Sequence, residues 1–156
     1  MIRRWNEATD IFWESVLKNL RAENKIVLIG STVAFSNDPL DANRFRNVVI
    51  IRGAMNGLVE QHVPVPIAMW KPDGVPLNLT GPVTAPIDGK RAAILICYEQ
   101  LLPWTYINAA ANHADVLVGA ANGYWVRGTQ IAQIQRNTLR SWAHLFKTPF
   151  LTAVNQ

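Results

Sequence analysis

Ala92-Ala93-Ile94-Leu95-Ile96-Cys97-Tyr98-Glu99-Gln100 is the stretch on which the reading of the fold turns. Five apolar residues in a row, without alternation, describe a short strand buried on both faces. The run breaks at the chain's single cysteine into polar residues. Pro103 suits the first turn of a helix, which the sequence places around 103–112. A second buried strand follows at Asp115-Val116-Leu117-Val118-Gly119-Ala120. The longest helix is expected over 129–146, with Ile131, Ile134, Leu139, Trp142, Leu145 and Phe146 as its apolar stripe. A last strand, Phe150-Leu151-Thr152-Ala153-Val154, closes the chain. Buried strands alternating with helices define an α/β class.

Working towards the N-terminus, residues 10–23 read as an amphipathic helix. Phe12, Trp13, Val16, Leu17 and Leu20 fall on one face, and Thr9 or Asn6 is placed to cap its start. The β-branched run from Lys25 to Phe35 reads as a buried strand, followed by a turn region from Ser36 to Asn43. A second strand is expected over 45–52 and a third over 57–62. From Val63 to Pro86 the chain is rich in Pro and Gly, which predicts a long loop and no sheet. No internal repeat, low-complexity tract or interdomain linker interrupts the chain, so residues 1–156 are read as one partial domain.

Composition narrows the function classes. A hydrophobic fraction of 49% against 17% charged residues describes a chain with a core, and six tryptophans need somewhere to pack. The formal charge of +4 raises the question of nucleic acid, but Lys and Arg adjoin only at Arg3-Arg4 and Lys90-Arg91. No basic run follows phosphates, and nucleic acid is not expected as a partner. His62, His113 and His144 are scattered singly, so neither metal nor cofactor is expected. The longest apolar stretches fall short of the ~18–20 residues that cross a bilayer.

A cysteine at the end of an apolar strand has two readings. It is an inert core thiol, or it is a nucleophile presented on a tight turn beside backbone N–H donors. A thiol attacks well only when its proton is removed or its pKa lowered, and Glu99, two residues on, is close enough to shape that environment.

Ile96-Cys97-Tyr98-Glu99 resembles the nucleophile segment of the nitrilase (carbon–nitrogen hydrolase) superfamily, especially its apolipoprotein N-acyltransferase branch. The run from Asp115 through Asn122-Gly123-Tyr124-Trp125 resembles that superfamily's strand leading to an Asn-aromatic loop. The helix at 129–146 and the strand before Asn155 continue the same order. Upstream, the segments from Trp5 to Asp10 and from Val63 to Trp70 are most similar to the superfamily's plasmid conjugal-transfer proteins.

The resemblance implies a nitrilase-like α-β-β-α sandwich and a Glu-Lys-Cys triad acting on a small amide or acyl substrate, unidentified. Carried over residue by residue, Cys97 is the nucleophile, Glu99 supports it, and Tyr98, Asn122 and Trp125 line the substrate pocket. The family's base glutamate would precede Trp5 and its lysine would fall within 59–62, where none occurs. Gln61, His62 or Lys71 are the donors at hand, none matching by motif. Trp142, Ala143 and Leu145 stand where the acyltransferases have a charged pair.

The expectation is therefore a sandwich incomplete at both ends, with little hydrolase activity in residues 1–156 alone. Its exposed faces could pair copies, and a membrane would be reached only through an upstream segment of a longer bacterial parent. The compartment stays open. Two alternatives remain: an inactive remnant or interaction module of the same fold, and acyl transfer to a lipoprotein.

Overall fold

The computed structural model of the chain describes residues 5–34, 45–66, 69, 77–79 and 81–155, the Trp125 side chain excepted. The turn region at 36–43 and Lys71 lie outside the described residues. The chain falls into two compact units, Met1–Leu77 and Asn78–Gln156.

The first unit is one helix on an antiparallel sheet. Helix α1 (Glu7–Ala22) precedes β1 (Ile26–Ala34), β2 (Phe45–Gly53) and β3 (Gly57–Glu60), in the order β1-β2-β3. Both candidate caps take part. The Thr9 N–H donates to Asn6 Oδ1 at 3.0 Å and the Asn6 N–H donates back to Thr9 Oγ1, so two of the first turn's free donors are satisfied. Central strand β2 is buried on both faces, Val48 through Ile51 being at most 2% exposed. Val48 and Ile50 pack with Trp5, and Trp13, Ile29 and Val33 close around them.

Two expectations need correction here. Strand β1 is half-buried, not buried, because it is the edge of its sheet; β-branched composition does not distinguish edge from centre. The apolar stripe of α1 is only partly used. Leu17 is buried and Trp13 and Leu20 half-buried, whereas Phe12 is 77% exposed and Val16 lies open.

The rotation of α1 follows from an ion pair. Arg52 Nε donates to Asp10 Oδ1 at 2.8 Å and the outer guanidinium nitrogen to Oδ2 at 3.1 Å, with the guanidinium over the Trp5 ring. Asp10, Trp13 and Leu17 share a face at spacings of three and four, so docking Asp10 on β2 turns Phe12 and Val16 outward.

The second unit has the sheet order β4 (Ala85–Ile87), β5 (Lys90–Ile96), β6 (Val116–Asn122), β7 (Phe150–Asn155). Strands β5, β6 and β7 run parallel, while β4 is antiparallel to β5. Strand β4 corrects the reading of 63–86 as free of sheet. Pro86 has no N–H to donate, and an edge strand tolerates that. Asp88 and Gly89, both at positive φ, make the two-residue turn that pairs Ile87 with Lys90. An Asp-Gly dipeptide is the sequence signal for such a turn, and it was there to be read.

Helices α2 (Pro103–Ala111) and α3 (Ile131–Leu145) cover one face of this sheet. Ala93, Leu95 and Leu117 meet Tyr106 and Ala109 of α2 and Leu139 and Ala143 of α3, and Trp142 stacks between Tyr106 and Phe146. On the opposite face Ala92, Ile94 and Ile96 are also buried, as an unalternating run requires. The stripe expected for α3 is again half right. Leu139, Trp142 and Phe146 face the core, whereas Ile131, Ile134 and Leu145 are exposed and Gln135 and Ala143 take the inward places. Gly119 explains how closely the layers approach: a Cβ there would stand 2.7 Å from Gln100 Oε1 and 2.8 Å from Leu139 Cδ2. No helix among the described residues is long and apolar enough to cross a membrane.

The Arg52 hydrogen bonds hold the Asp10 carboxyl below the usual carboxylate range. A depressed folded pKa stabilises at pH above the unfolded value, and that contribution is lost as pH falls through the folded one. Asp10→Asn should therefore lower the thermal midpoint most at neutral pH, with the gap to the parent closing as the pH drops below ~4. A gap of equal size at all pH values would show that the charge is not what docks α1.

Candidate functional site

Strand β5 ends at Ile96, and the chain then turns sharply. Cys97 has φ +54°, in the left-handed region that L-residues with a Cβ seldom occupy. It opens a 3-10 turn over Cys97–Leu101 that leads into α2. The thiol is half-buried, as is Tyr98, while Glu99 and Gln100 are each 1% exposed.

The turn is held from every side by hydrogen bonds. The Ile96 N–H donates to Glu99 Oε2 at 2.7 Å, closing the turn onto the end of the strand. The Thr105 hydroxyl donates to the Glu99 carbonyl at 2.9 Å, and the Tyr106 hydroxyl to the Gln100 carbonyl at 2.7 Å. Gln100 Nε2 donates across to the Ala120 carbonyl on β6 at 3.2 Å. Gln135 Nε2, from α3, donates to the carbonyl of Cys97 itself at 3.0 Å. Glu99 therefore closes the Cys97 turn by accepting from the Ile96 N–H.

Electrostatics oppose ionisation of the thiol. Burial raises the Cys97 pKa first, and the Glu99 charge adds to it; the Tyr98 N–H and the Gln135 amide act the other way and do not offset burial. Among the described residues Glu99 is the one charge that bears on the sulfur.

Because β5, β6 and β7 are parallel, their C-terminal ends share one edge of the sheet, where open α/β sheets present their functional groups. Ile96 pairs with Ala120, and Asn122 with Asn155. Asn122 Oδ1 accepts from the Tyr124 N–H at 3.1 Å, and Asn155 Oδ1 accepts from the Gly123 N–H at 3.0 Å, fixing the loop beyond β6. Cys97, Tyr98, Glu99 and Asn122 are thus brought to one sheet edge. Trp125 falls in the 3-10 turn Gly123–Val126 at the same edge, its side chain outside the described residues. A shallow depression lined by Arg140, His144, Lys147 and Phe150 lies at the start of β7, the far end of that strand.

Sequence reasoning missed Gln100, Thr105, Gln135 and Asn155. Gln135 carried a signal: it shares a helix face with Leu139, Trp142 and Phe146, and a polar side chain inside an apolar stripe needs a buried partner. No three His, Cys, Asp or Glu side chains gather as a metal site among the described residues.

The raised thiol pKa is open to direct measurement. Alkylation of Cys97 by iodoacetamide, followed against pH, should have its midpoint above the ~8.5 of a free thiol. Glu99→Gln should bring it down by removing the neighbouring charge. A midpoint below that of free cysteine would contradict the arrangement described.

No protein-family model matches the chain. It is 30% identical, over 97% of its length, to the probable conjugal transfer protein TraB of Sinorhizobium fredii (strain NBRC 101917 / NGR234). It is 29% identical, over the same share, to the conjugal transfer protein TraB of Agrobacterium fabrum (strain C58 / ATCC 33970). The chain spans 39% and 36% of those two proteins. Among solved structures it is similar to the carbon-nitrogen hydrolase from Helicobacter pylori G27, with a TM-score of 0.62 at 11% identity, over 95% of this chain and 51% of that one. At that identity the similarity is one of fold, and it bears out the nitrilase-like α/β class expected from the sequence.

Proposed function

From a TraB-like sequence on a carbon–nitrogen hydrolase fold, we propose that this chain is the nucleophile-bearing part of a thiol-dependent amide or acyl hydrolase or transferase associated with conjugal plasmid transfer. The observation that carries the proposal is the backbone of Cys97: a residue at φ +54°, directly after a buried parallel strand, at the edge where the neighbouring strands also end. A core thiol has no need of a left-handed corner, whereas a nucleophile gains from one, because the turn lifts its side chain clear of the strand.

In the proposed reaction the Cys97 sulfur attacks the carbonyl carbon of an amide or ester. A C–S bond forms as the C–N or C–O bond breaks, and the amine or alcohol leaves with a proton. Water or a second amine then attacks the thioester, releasing the acyl group and returning the proton to sulfur. Splitting one acyl transfer into two steps is what covalent catalysis contributes. Glu99 is assigned a supporting role, with its carboxylate engaged by the Ile96 N–H. Tyr98, Asn122 and Trp125 are assigned to the substrate pocket.

The raised thiol pKa bears on the activity of residues 1–156 taken alone, because a protonated thiol attacks slowly. Activated esters carry a good leaving group and need less help from a base, so they should react where simple amides do not. In p-nitrophenyl acetate, nitrophenol release should depend on Cys97 and vanish in Cys97→Ser, with small amides turned over slowly or not at all. Equal release by the parent and Cys97→Ser would overturn the nucleophile assignment and leave an interaction module of the same fold as the better reading.

A further inference from the structure

We propose that Gln135 is a positioning residue for Cys97, its buried carboxamide fixing the left-handed corner from helix α3 and so setting the direction and reactivity of the thiol. This deepens the reading above and rests on Cys97 being the attacking group.

Gln135 is 3% exposed at the N-terminal end of the buried face of α3, a place where an apolar residue would cost nothing in desolvation. Its Nε2 donates to the Cys97 carbonyl at 3.0 Å across 38 residues of sequence. Of the hydrogen bonds described around the turn, it is the one that reaches the backbone of the strained residue from another element. The other bonds act on Ile96, Glu99, Gln100 and Ala120. A residue at positive φ persists only when its surroundings over-determine it, and a donor anchored in a packed helix is suited to that.

The same amide also lies where it favours the thiolate, against burial and the Glu99 charge. The turn is packed against β5, β6 and α3, and among the described residues of these elements Glu99 is the charged group acting on the sulfur, with Tyr98 contributing its N–H. Gln135 is thus the side chain through which α3 both holds the corner and moderates its cost in reactivity.

The test uses the 156-residue chain, whose single cysteine makes labelling unambiguous. Gln135→Met keeps the length and volume of the side chain and removes the donor. Iodoacetamide labelling is followed by intact mass from neutral to alkaline pH, with thermal unfolding measured in parallel. The midpoint should move up and the rate at neutral pH fall by about 3–10-fold, the factor that one net hydrogen bond is worth. A folded Gln135→Met with an unchanged profile would reduce Gln135 to a packing role and overturn the proposal, whatever its melting temperature.

If Gln135→Met does not fold, Gln135→Glu is measured instead. A carboxylate beside the thiol should push the midpoint up further, and an unchanged profile is again fatal. Ester cleavage separates this inference from the one it rests on. A Gln135-dependent profile without Cys97-dependent cleavage sinks only the functional reading, and cleavage with a Gln135-independent profile sinks only this one.

Discussion

The left-handed backbone of Cys97 is the constraint around which the second unit is arranged. A non-glycine residue at such a φ costs on the order of 1–3 kcal/mol, so the surrounding bonds have to hold it there. Each hydrogen bond around the turn contributes roughly 0.5–1.5 kcal/mol net, and several act together on Ile96, Cys97, Glu99 and Gln100. They come from the turn itself through Glu99, from α2 through Thr105 and Tyr106, and from α3 through Gln135, while Gln100 ties the turn to β6. The glycine at 119 belongs to the same arrangement, since a methyl group there would collide with both Gln100 and Leu139.

This organisation separates what the apolar core does from what the polar residues do. Leu95, Leu117, Tyr106 and Leu139 bring sheet and helices together, and that alone would give a helix-backed parallel sheet with no preferred corner at Cys97. The buried amides, hydroxyls and carboxylate select one backbone path at the end of β5. Their burial makes the selection strict, because a missing partner leaves a desolvated polar group behind. The resulting thiol is well placed and poorly ionised, as burial and the Glu99 charge both favour its protonated form.

Much of the fold was legible because the strands of the second unit are apolar on both faces and α2 and α3 separate them. The helix at 103–112 and the strands at 92–97 and 115–120 correspond to α2, β5 and β6 within a few residues. The sequence was least legible where burial depends on neighbours in space. The run from Lys25 to Phe35 is as β-branched as a central strand and sits at a sheet edge. Phe12 and Val16 match the period of α1, yet the Asp10–Arg52 pair turns them outward, and that pair joins residues 42 apart in sequence.

At the site, Cys97, Tyr98, Glu99 and Asn122 could be picked out from a strand end and a motif, because those signals are local. Gln100 could not, since its partner is a carbonyl on the next strand, and Gln135 shows only as a polar residue in an apolar stripe, because the turn carbonyl it binds leaves no mark in a sequence. The short strand with Pro86 is hard to read for a different reason: the density of prolines conceals an Asp-Gly turn that is itself a hairpin signal.

The central claim is that Cys97 forms the covalent bond to the acyl group. The most direct measurement is peptide mapping by mass spectrometry after incubation with an activated acyl ester and acid quenching. The account predicts one acyl group, on the peptide containing Cys97, that hydroxylamine at neutral pH removes as it does a thioester. An unmodified Cys97 peptide, or acylation spread over lysines in its place, would contradict it.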